Sequence, residues 1–403
     1  MSRRALDGIR VIELADAHGE WCGKLLADMG ADVIKVEPPA GAPSRSVGPF
    51  AGDKPGPERS LYFWRYNAGK RGVTLEVERA EDAESLRHLI VGADVFIETL
   101  PPGRAAAMGL DYATLNATNP RLVHVAVTPF GQSGPYVDAG YRTTDLVTMA
   151  LGGPMQSCGY DPEDGDLPPV RPGAYHSYHT ASHYACIAVL VALFEREASG
   201  RGQYVDVSAH ATCAVTVEFA SLYWEYAGAI VRRQTGRHAL PGQTARTQYI
   251  CADGEPINVA IPFDGRAYQR LVDYLRAEGL GAGLVDEAAY DPVKRLETGS
   301  IVLAGLELLA ARHTAEELFH IGQRFGMTWG AVRAPEDWLD DPHAVARGFF
   351  VELEQPQIGR AVPHPGAPFK STATQPRVER RAPLLGEHNA EILGERAGAE
   401  RYS

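Results

Sequence analysis

RVIEL (Arg10–Leu14), GEWCGKLLADM (Gly19–Met29) and DVIKVE (Asp32–Glu37) decide the fold. The first and third runs are rich in β-branched residues and lack the strict polar alternation of a half-solvated strand. The run between them has helical spacing. A strand, a helix and a second strand about twenty residues on make a βαβ unit. Working outward, strand-like runs recur at Gly72–Val77, Ala93–Thr99, Leu122–Thr128 and Tyr204–Val207. Helical patterns fall at Ala80–Val91, Thr180–Glu197 and Ala209–Ala227. Strands without alternation, separated by helices, predict a parallel sheet covered on both faces, a Rossmann-like α/β architecture.

The 403 residues carry 39 Lys+Arg against 51 Asp+Glu, a formal charge of −12, and 45% are apolar. That is enough for real cores. The acidic balance argues against nucleic acid and anionic membranes as partners, though a local basic pocket can still take a small anion. The apolar run Ala185–Phe194 is too short to span a bilayer and the first residues show no signal-peptide pattern. Cys22, Cys158, Cys186, Cys213 and Cys251 are scattered and form no CxxC pair. They read as free thiols of a reducing compartment, so a cytoplasmic protein is expected.

Gly152–Gly173 is a Gly/Pro-rich loop and Arg232–Arg246 a basic linker. Gln248–Cys251 and Pro256–Ile261 flank an Asp-Gly hairpin signal at Asp253-Gly254. Helical patterns follow at Arg266–Ala277, Ser300–Arg312 and Ala315–Phe325, and beyond Trp338 the chain is proline-rich and extended to Pro376. These features predict a first part of a large domain over 1–205, a connecting helix and linker over 206–246, a smaller α+β domain over 247–330, and a return segment completing the large domain over 331–403. A nicotinamide site is disfavoured. The turn after the first strand reads Ala17-His18-Gly19-Glu20-Trp21-Cys22-Gly23, with charge and bulk where GxGxxG admits a pyrophosphate.

Seven segments carry a family resemblance: LDGIRVIEL (from Leu6), LLADMGADVIKVEPPAGAPSR (from Leu25), YNAGKRGVTLE (from Tyr66), GADVFIETLPPGRAAAMGL (from Gly92), NPRLVHVAVTPFGQSGPY (from Asn119), ALFEREASGRGQYVDVS (from Ala192) and APLLGEHNAEIL (from Ala382). In this order, and from Leu6 to Leu393, the chain resembles the class III (CaiB/BaiF) CoA-transferases, the group of formyl-CoA transferase, carnitine CoA-transferase and the α-methylacyl-CoA racemases. The resemblance implies a Rossmann-like large domain built from both chain ends, a smaller domain, and two subunits threaded as interlocked rings. It also implies acyl-CoA as a substrate, with no tightly bound cofactor. Lys70 and Arg71, beside Asn67, match the family's Asn-x-x-Lys-Arg segment, whose cations contact CoA. Thr99 and Leu100 stand where the family has Asn-Phe lining the adenine. Arg104 and Arg142 are further candidate phosphate contacts, suited by the guanidinium fork.

The family's nucleophile is an aspartate that takes the acyl group and then CoA in turn. Counting back along the apolar helix from Leu193 lands on Ser177 and Tyr178, and Pro172–His179 holds no carboxylate. Glu163, Asp164 and Asp166 lie in the preceding loop, out of register. The racemase branch needs a histidine before an acid in the segment Gly140–Asp145, where Thr144 stands instead, so racemisation is not expected. The remaining candidates for chemistry are His179, Asp145 and Ser177, with Tyr175, His176, Tyr178 and His183 beside them; polar packing at a helix start is the simpler alternative. His179 and His183 share a helix face, but without a third ligand no metal site is expected. Three readings stay open: a transferase moving CoA between carboxylic acids by a noncanonical route, a non-catalytic subunit beside an aspartate-bearing paralogue as in benzylsuccinate-type enzymes, or a lyase or hydrolase on the same fold. The partners expected are acyl-CoA, a small carboxylic acid, and a second copy or paralogue. Acceptor selectivity is expected from the small domain and the aromatic face around Tyr223 and Trp224.

Overall fold

The computed structural model describes residues 3–161, 165, 167–217 and 219–394; Glu163, Asp164 and Asp166 lie outside the described residues. The chain divides into two units, a larger one of Met1–Pro154, Pro172–Val217 and Leu339–Ser403 and a smaller one of Met155–Arg171 and Glu218–Trp338. The boundaries read from sequence stood at 205, 246 and 330. The segment from Met155 groups with the smaller unit, and there Asp161 pairs with Arg237.

In the larger unit six strands, β1 (Arg10–Leu14), β2 (Asp32–Glu37), β3 (Arg71–Thr74), β4 (Val95–Glu98), β5 (Val123–Thr128) and β6 (Tyr204–Ser208), form one sheet in the order β3-β2-β1-β4-β5-β6. All neighbours are parallel. Val11 pairs with Val33 and Val95, Ile12 with Ile34 and Phe96. The pleat therefore sends the valines to one face and Ile12, Ile34 and Phe96 to the other, and each face has its own core. The helices are α1 (Glu20–Asp28), α2 (Leu61–Asn67), α3 (Ala80–Val91), α4 (Arg104–Ala107), α5 (Tyr112–Thr118), α6 (Pro135–Asp138), α7 (Asp145–Leu151), α8 (His176–Ser199) and α9 (Ala209–Ala214). Leu26 of α1 and Ala181, Ala185 and Val189 of α8 cover the valine face; Leu86 and Ile90 of α3 cover the other. The order of strands reverses between β1 and β4, so their carboxyl ends diverge and leave a crevice, the usual ligand position of such sheets.

Helix α8 has the length and hydropathy a membrane span would need, and 44% of its most apolar stretch is buried. Its far end is pinned: Arg196, 3% exposed, donates to the Asp94 carboxylate at 2.9 Å and to the Arg121 carbonyl at 3.0 Å. The single helix expected over Ala209–Ala227 is two, because the β-branched run Val215-Thr216-Val217 follows α9 and the next helix starts only at Ala220.

The smaller unit holds α10 (Ala220–Ala227), a hairpin of β7 (Arg232–Gln234) and β8 (Arg237–Leu240), and β9 (Gln248–Ile250) and β10 (Pro256–Val259) joined across the Asp-Gly turn. Helices α11 (Gly265–Ala277), α12 (Pro292–Ala310) and α13 (Ala315–Arg324) enclose a core with β11 (Trp329–Ala331), which completes an antiparallel sheet of order β11-β10-β9. Helix α12 begins earlier than Ser300 because Asp291 caps it, accepting from Val293 N–H at 2.8 Å, with Pro292 as its first residue. The chain then re-enters the larger unit through α14 (Pro342–Arg347), a hairpin of β12 (Phe350–Gln355) and β13 (Arg360–Pro365), and α15 (Asn389–Ile392), where Asn389 accepts from Thr74 N–H of β3 at 2.9 Å.

One glycine fixes how β6 enters the sheet. A Cβ on Gly202 would lie 1.9 Å from the Leu122 carbonyl oxygen. Gly202→Ala is expected to lower the stability of the chain by about 3 kcal/mol, read from urea unfolding, since backbone and not a side chain must move aside.

Candidate functional site

The crevice is built from the turn that follows β1. Asp16 N–H donates to Thr99 Oγ1 at 2.9 Å, which ties the carboxyl ends of β1 and β4 together across the reversal of strand order. Gly19 lies against the Thr99 methyl, where a Cβ would come within 2.9 Å. Asp16 Oδ1 accepts from His18 N–H at 3.0 Å and stands 2.9 Å from His18 Nδ1. His18 Nε2 is enclosed and has no partner among the described residues. Burial pushes the Asp16 pKa up, but the His18 contacts outweigh it and hold it below the ordinary carboxylate value.

The first turn of α8 arrives at this crevice. Ser182 Oγ donates to the His18 carbonyl at 2.8 Å, and the Tyr178 ring packs 4.0 Å from the His18 ring. Asp145, 3% exposed at the start of α7, accepts from both Ser177 N–H at 2.9 Å and Ser177 Oγ at 2.6 Å. A carboxylate on the leading amide of a helix is favoured by the helix dipole, so Asp145 anchors α8. The same residue's amide reaches the Tyr178 hydroxyl. No acid occupies the first turn of α8.

His179 and His183 are both used by hydrogen bonds. Tyr66 OH pairs with His179 Nε2. His183 Nδ1 donates to the His179 carbonyl at 2.8 Å and its Nε2 accepts from Trp21 Nε1–H at 3.2 Å, which fixes the neutral Nδ1–H tautomer. Burial, aided by the neighbouring His183, His176 and Arg65, pushes the His179 pKa down to about 4. Rings surround it: Tyr66 at 5.4 Å, Trp21 at 5.6 Å, and Tyr62 stacked on Tyr66 at 4.2 Å. Among the described residues no group of His, Cys, Asp and Glu is placed to hold a metal ion.

The cations expected to cradle CoA are not gathered in one place. Lys70 is fully buried, and its ammonium faces both Glu13 oxygens at 2.8 Å, the Glu20 carbonyl at 2.8 Å and Asn67 Oδ1 at 2.9 Å. Arg71 forks onto Asp32 at 2.9 and 2.6 Å and reaches Glu391 at 2.6 Å, at the opening of β3 rather than at a carboxyl end. Arg104 pairs with Glu78. Arg142 is exposed, and its side chain makes no hydrogen bond or ion pair with the described residues. Thr99 lines the crevice as described, and Leu100 N–H donates to Glu98 Oε2 at 2.5 Å. Sequence reasoning missed Asp16, His18, Tyr62 and Tyr66. The one signal in the sequence is the turn Ala17–Gly23 after the first strand, whose Glu20 and Trp21 read only as charge and bulk that exclude a pyrophosphate.

Two outcomes check this geometry. Asp145→Ala leaves the start of α8 without its acceptor and is expected to cost about 2 kcal/mol, read from thermal unfolding, the range of hydrogen bonds to a charged group. His179 is expected to titrate in NMR near 4, well below 6.5. Because its folded pKa is depressed, its protonation favours the unfolded chain: the wild type should lose stability relative to His179→Gln as pH falls from about 6.5 towards 4, and the difference between the two should not vary with pH above that window.

Residues 6–389 match the model of CoA-transferase family III. The chain is 36% identical over 391 residues to succinyl-CoA:(R)-benzylsuccinate CoA-transferase subunit BbsE of Thauera aromatica, covering 96% of this chain and 93% of that one. It is 32% identical to succinate–glutarate CoA-transferase of Agrobacterium fabrum, covering 98% and 96%. A CaiB/BaiF family protein from Brucella suis has the same fold, with a TM-score of 0.80 at 28% identity over 98% of this chain and 100% of that one. A parallel sheet of this order, with the signature segments along nearly its whole length, places the chain in CoA-transferase family III, an enzyme family of the CaiB/BaiF type.

Proposed function

We propose that this chain serves in moving coenzyme A from an acyl-CoA donor to a small carboxylic acid in the cytoplasm, with acyl-CoA as substrate and no resident cofactor. The observation that carries the reading is the crevice at the β1–β4 reversal, into which Asp16, His18, Thr99 and the first turn of α8 converge. The acids in the relatives' names, benzylsuccinate, succinate and glutarate, each carry two carboxyl groups, and a dicarboxylic acid is the substrate class we assign. Thr99 and Leu100 stand at the crevice wall for the CoA arm. Arg142 is the uncommitted cation for its phosphates; Lys70, Arg71 and Arg104 could join it only by leaving their carboxylates.

CoA transfer through the enzyme needs a carboxylate that attacks the thioester carbonyl and releases CoA thiolate, which then re-adds to the acyl-enzyme and frees the donor acid. Here Asp145 is spent on Ser177 and Asp16 on His18. The acid-free first turn of α8 favours a particular assembly, in which this chain is one subunit beside a paralogue that brings the aspartate. A row of exposed apolar side chains along α8, Tyr184, Ile187, Val191 and Phe194, fits a surface that a second subunit covers.

Purified chain, incubated with succinyl-CoA and a panel of dicarboxylic acids, is expected to show no transfer alone and full transfer once an aspartate-bearing paralogue is added. Transfer by the chain alone would remove the two-subunit assembly; absence of transfer in both arms would remove the reading itself. Tyr178→Asp, which puts a carboxylate on that turn, is expected to form a hydroxylamine-sensitive acyl adduct with succinyl-CoA, detected by mass spectrometry.

A further inference from the structure

The smaller unit contains a cavity of about 290 Å3 on the β7–β8 hairpin, lined by Asp161, Arg232, Arg233, Gln234 and the loop Leu240–Gln243. Its walls are held rigidly. The Gln234 amide donates to the carbonyls of His238 at 3.3 Å and Gly242 at 3.1 Å, and its oxygen accepts from Thr244 N–H at 2.8 Å and Thr244 Oγ1 at 2.9 Å. That one buried side chain clamps the loop over the hairpin.

Among the described residues the lining of the cavity carries more basic than acidic side chains. Asp161 is the one acid of the lining among those residues, and that carboxylate is engaged by Arg237 and by Thr235 N–H at 3.3 Å. Two guanidinium groups remain. Arg233 spends Nη2 on the Leu167 carbonyl at 3.2 Å, and its Nε–H is buried without an acceptor. The Arg232 side chain makes no hydrogen bond or ion pair with the described residues. The position of Arg233 is prepared by the backbone: Gly159, at φ +141°, leaves the space its stem occupies, and a Cβ there would come within 2.9 Å of Arg233 Cδ. A buried donor without an acceptor is costly, and such a cost is met when a ligand supplies the missing oxygen.

We propose that this cavity binds the carboxylate of a small organic acid, with Arg232 and Arg233 as its anion-binding residues. A planar carboxylate matches a guanidinium fork with two parallel hydrogen bonds. The cavity lies at the lower end of the volumes that enclose small-molecule ligands, which suits a four- or five-carbon acid and is too small for a nucleotide. Identifying the ligand as a dicarboxylic acid rests on the transferase reading above; the existence of the site does not. In a dicarboxylic acid one carboxyl group is consumed in the thioester, and the other stays anionic and needs such a site.

Calorimetric titration of the full chain with succinate tests this without any turnover, so a failed transferase reading and a failed site give different results. Saturable binding is expected, weakened roughly tenfold in Arg232→Gln and in Arg233→Gln, the loss expected of a charge-assisted hydrogen bond. Arg232 is exposed, so its substitution leaves the fold intact even if the Arg233 variant unfolds. Propionate, with one carboxylate, is expected to bind this site too, whereas neutral succinamide should not. Succinate affinity unchanged in Arg232→Gln overturns the proposal, as does inorganic phosphate binding more tightly than succinate.

Discussion

Four buried charges hold the larger unit in register. Glu13 at the end of β1 and Glu20 at the start of α1 face Lys35 of β2 and Lys70 before β3, and all four side chains are fully buried. Lys35 lies 2.8 Å from Glu20 and 3.4 Å from Glu13, and also donates to the Ala15 carbonyl at 2.9 Å. Burial works against the Lys35 charge, but Glu20, Glu13 and Glu37 outweigh it and raise its pKa. Charges taken this far from water are tolerated only when every one is paired, so removing one member strands the others. The network draws the end of β1, the start of α1 and the approach to β3 to one point. The turn between β1 and α1, which carries Asp16 and His18, therefore has little freedom left.

This explains why an acidic protein has so little free positive charge near its crevice. Lys70, Arg71 and Arg104 each meet a carboxylate of the same unit, and so does Arg45, which forks onto Glu37 at 2.7 and 2.8 Å. A net charge of −12 leaves more acids than bases, so most cations find an internal partner. Arg142 in the larger unit and Arg232 in the smaller are among the exposed cations whose side chains pair with no described residue.

The parallel sheet was legible because its central strands are unbroken apolar runs: β5 is buried at every position, a pattern only a strand covered on both faces can keep. The hairpin of β12 and β13 was not, because Pro363 and Pro365 mask a strand to any propensity argument, and a two-stranded ribbon tolerates proline on its edges. The candidate site was half legible. Ser177 and His179 share one turn of sequence, and Asp145, singled out in its own segment, meets Ser177 in space. Tyr62, Tyr66, Trp21 and His18 reach them from segments more than a hundred residues away, and no local spacing encodes that meeting. Lys70 shows what a motif leaves out: the sequence marks a cation for a ligand, and the fold surrounds it with Glu13, the Glu20 carbonyl and Asn67.

Helix α8 is fastened near both ends by carboxylates from outside the helix. Ser177 on Asp145 holds the first turn, and Arg196 on Asp94 holds the last. Position 178 lies between these fastenings, half-buried, and bears neither of them. The course of α8 is thus set by residues on either side of position 178, so the helix keeps its path whatever chemistry that turn carries.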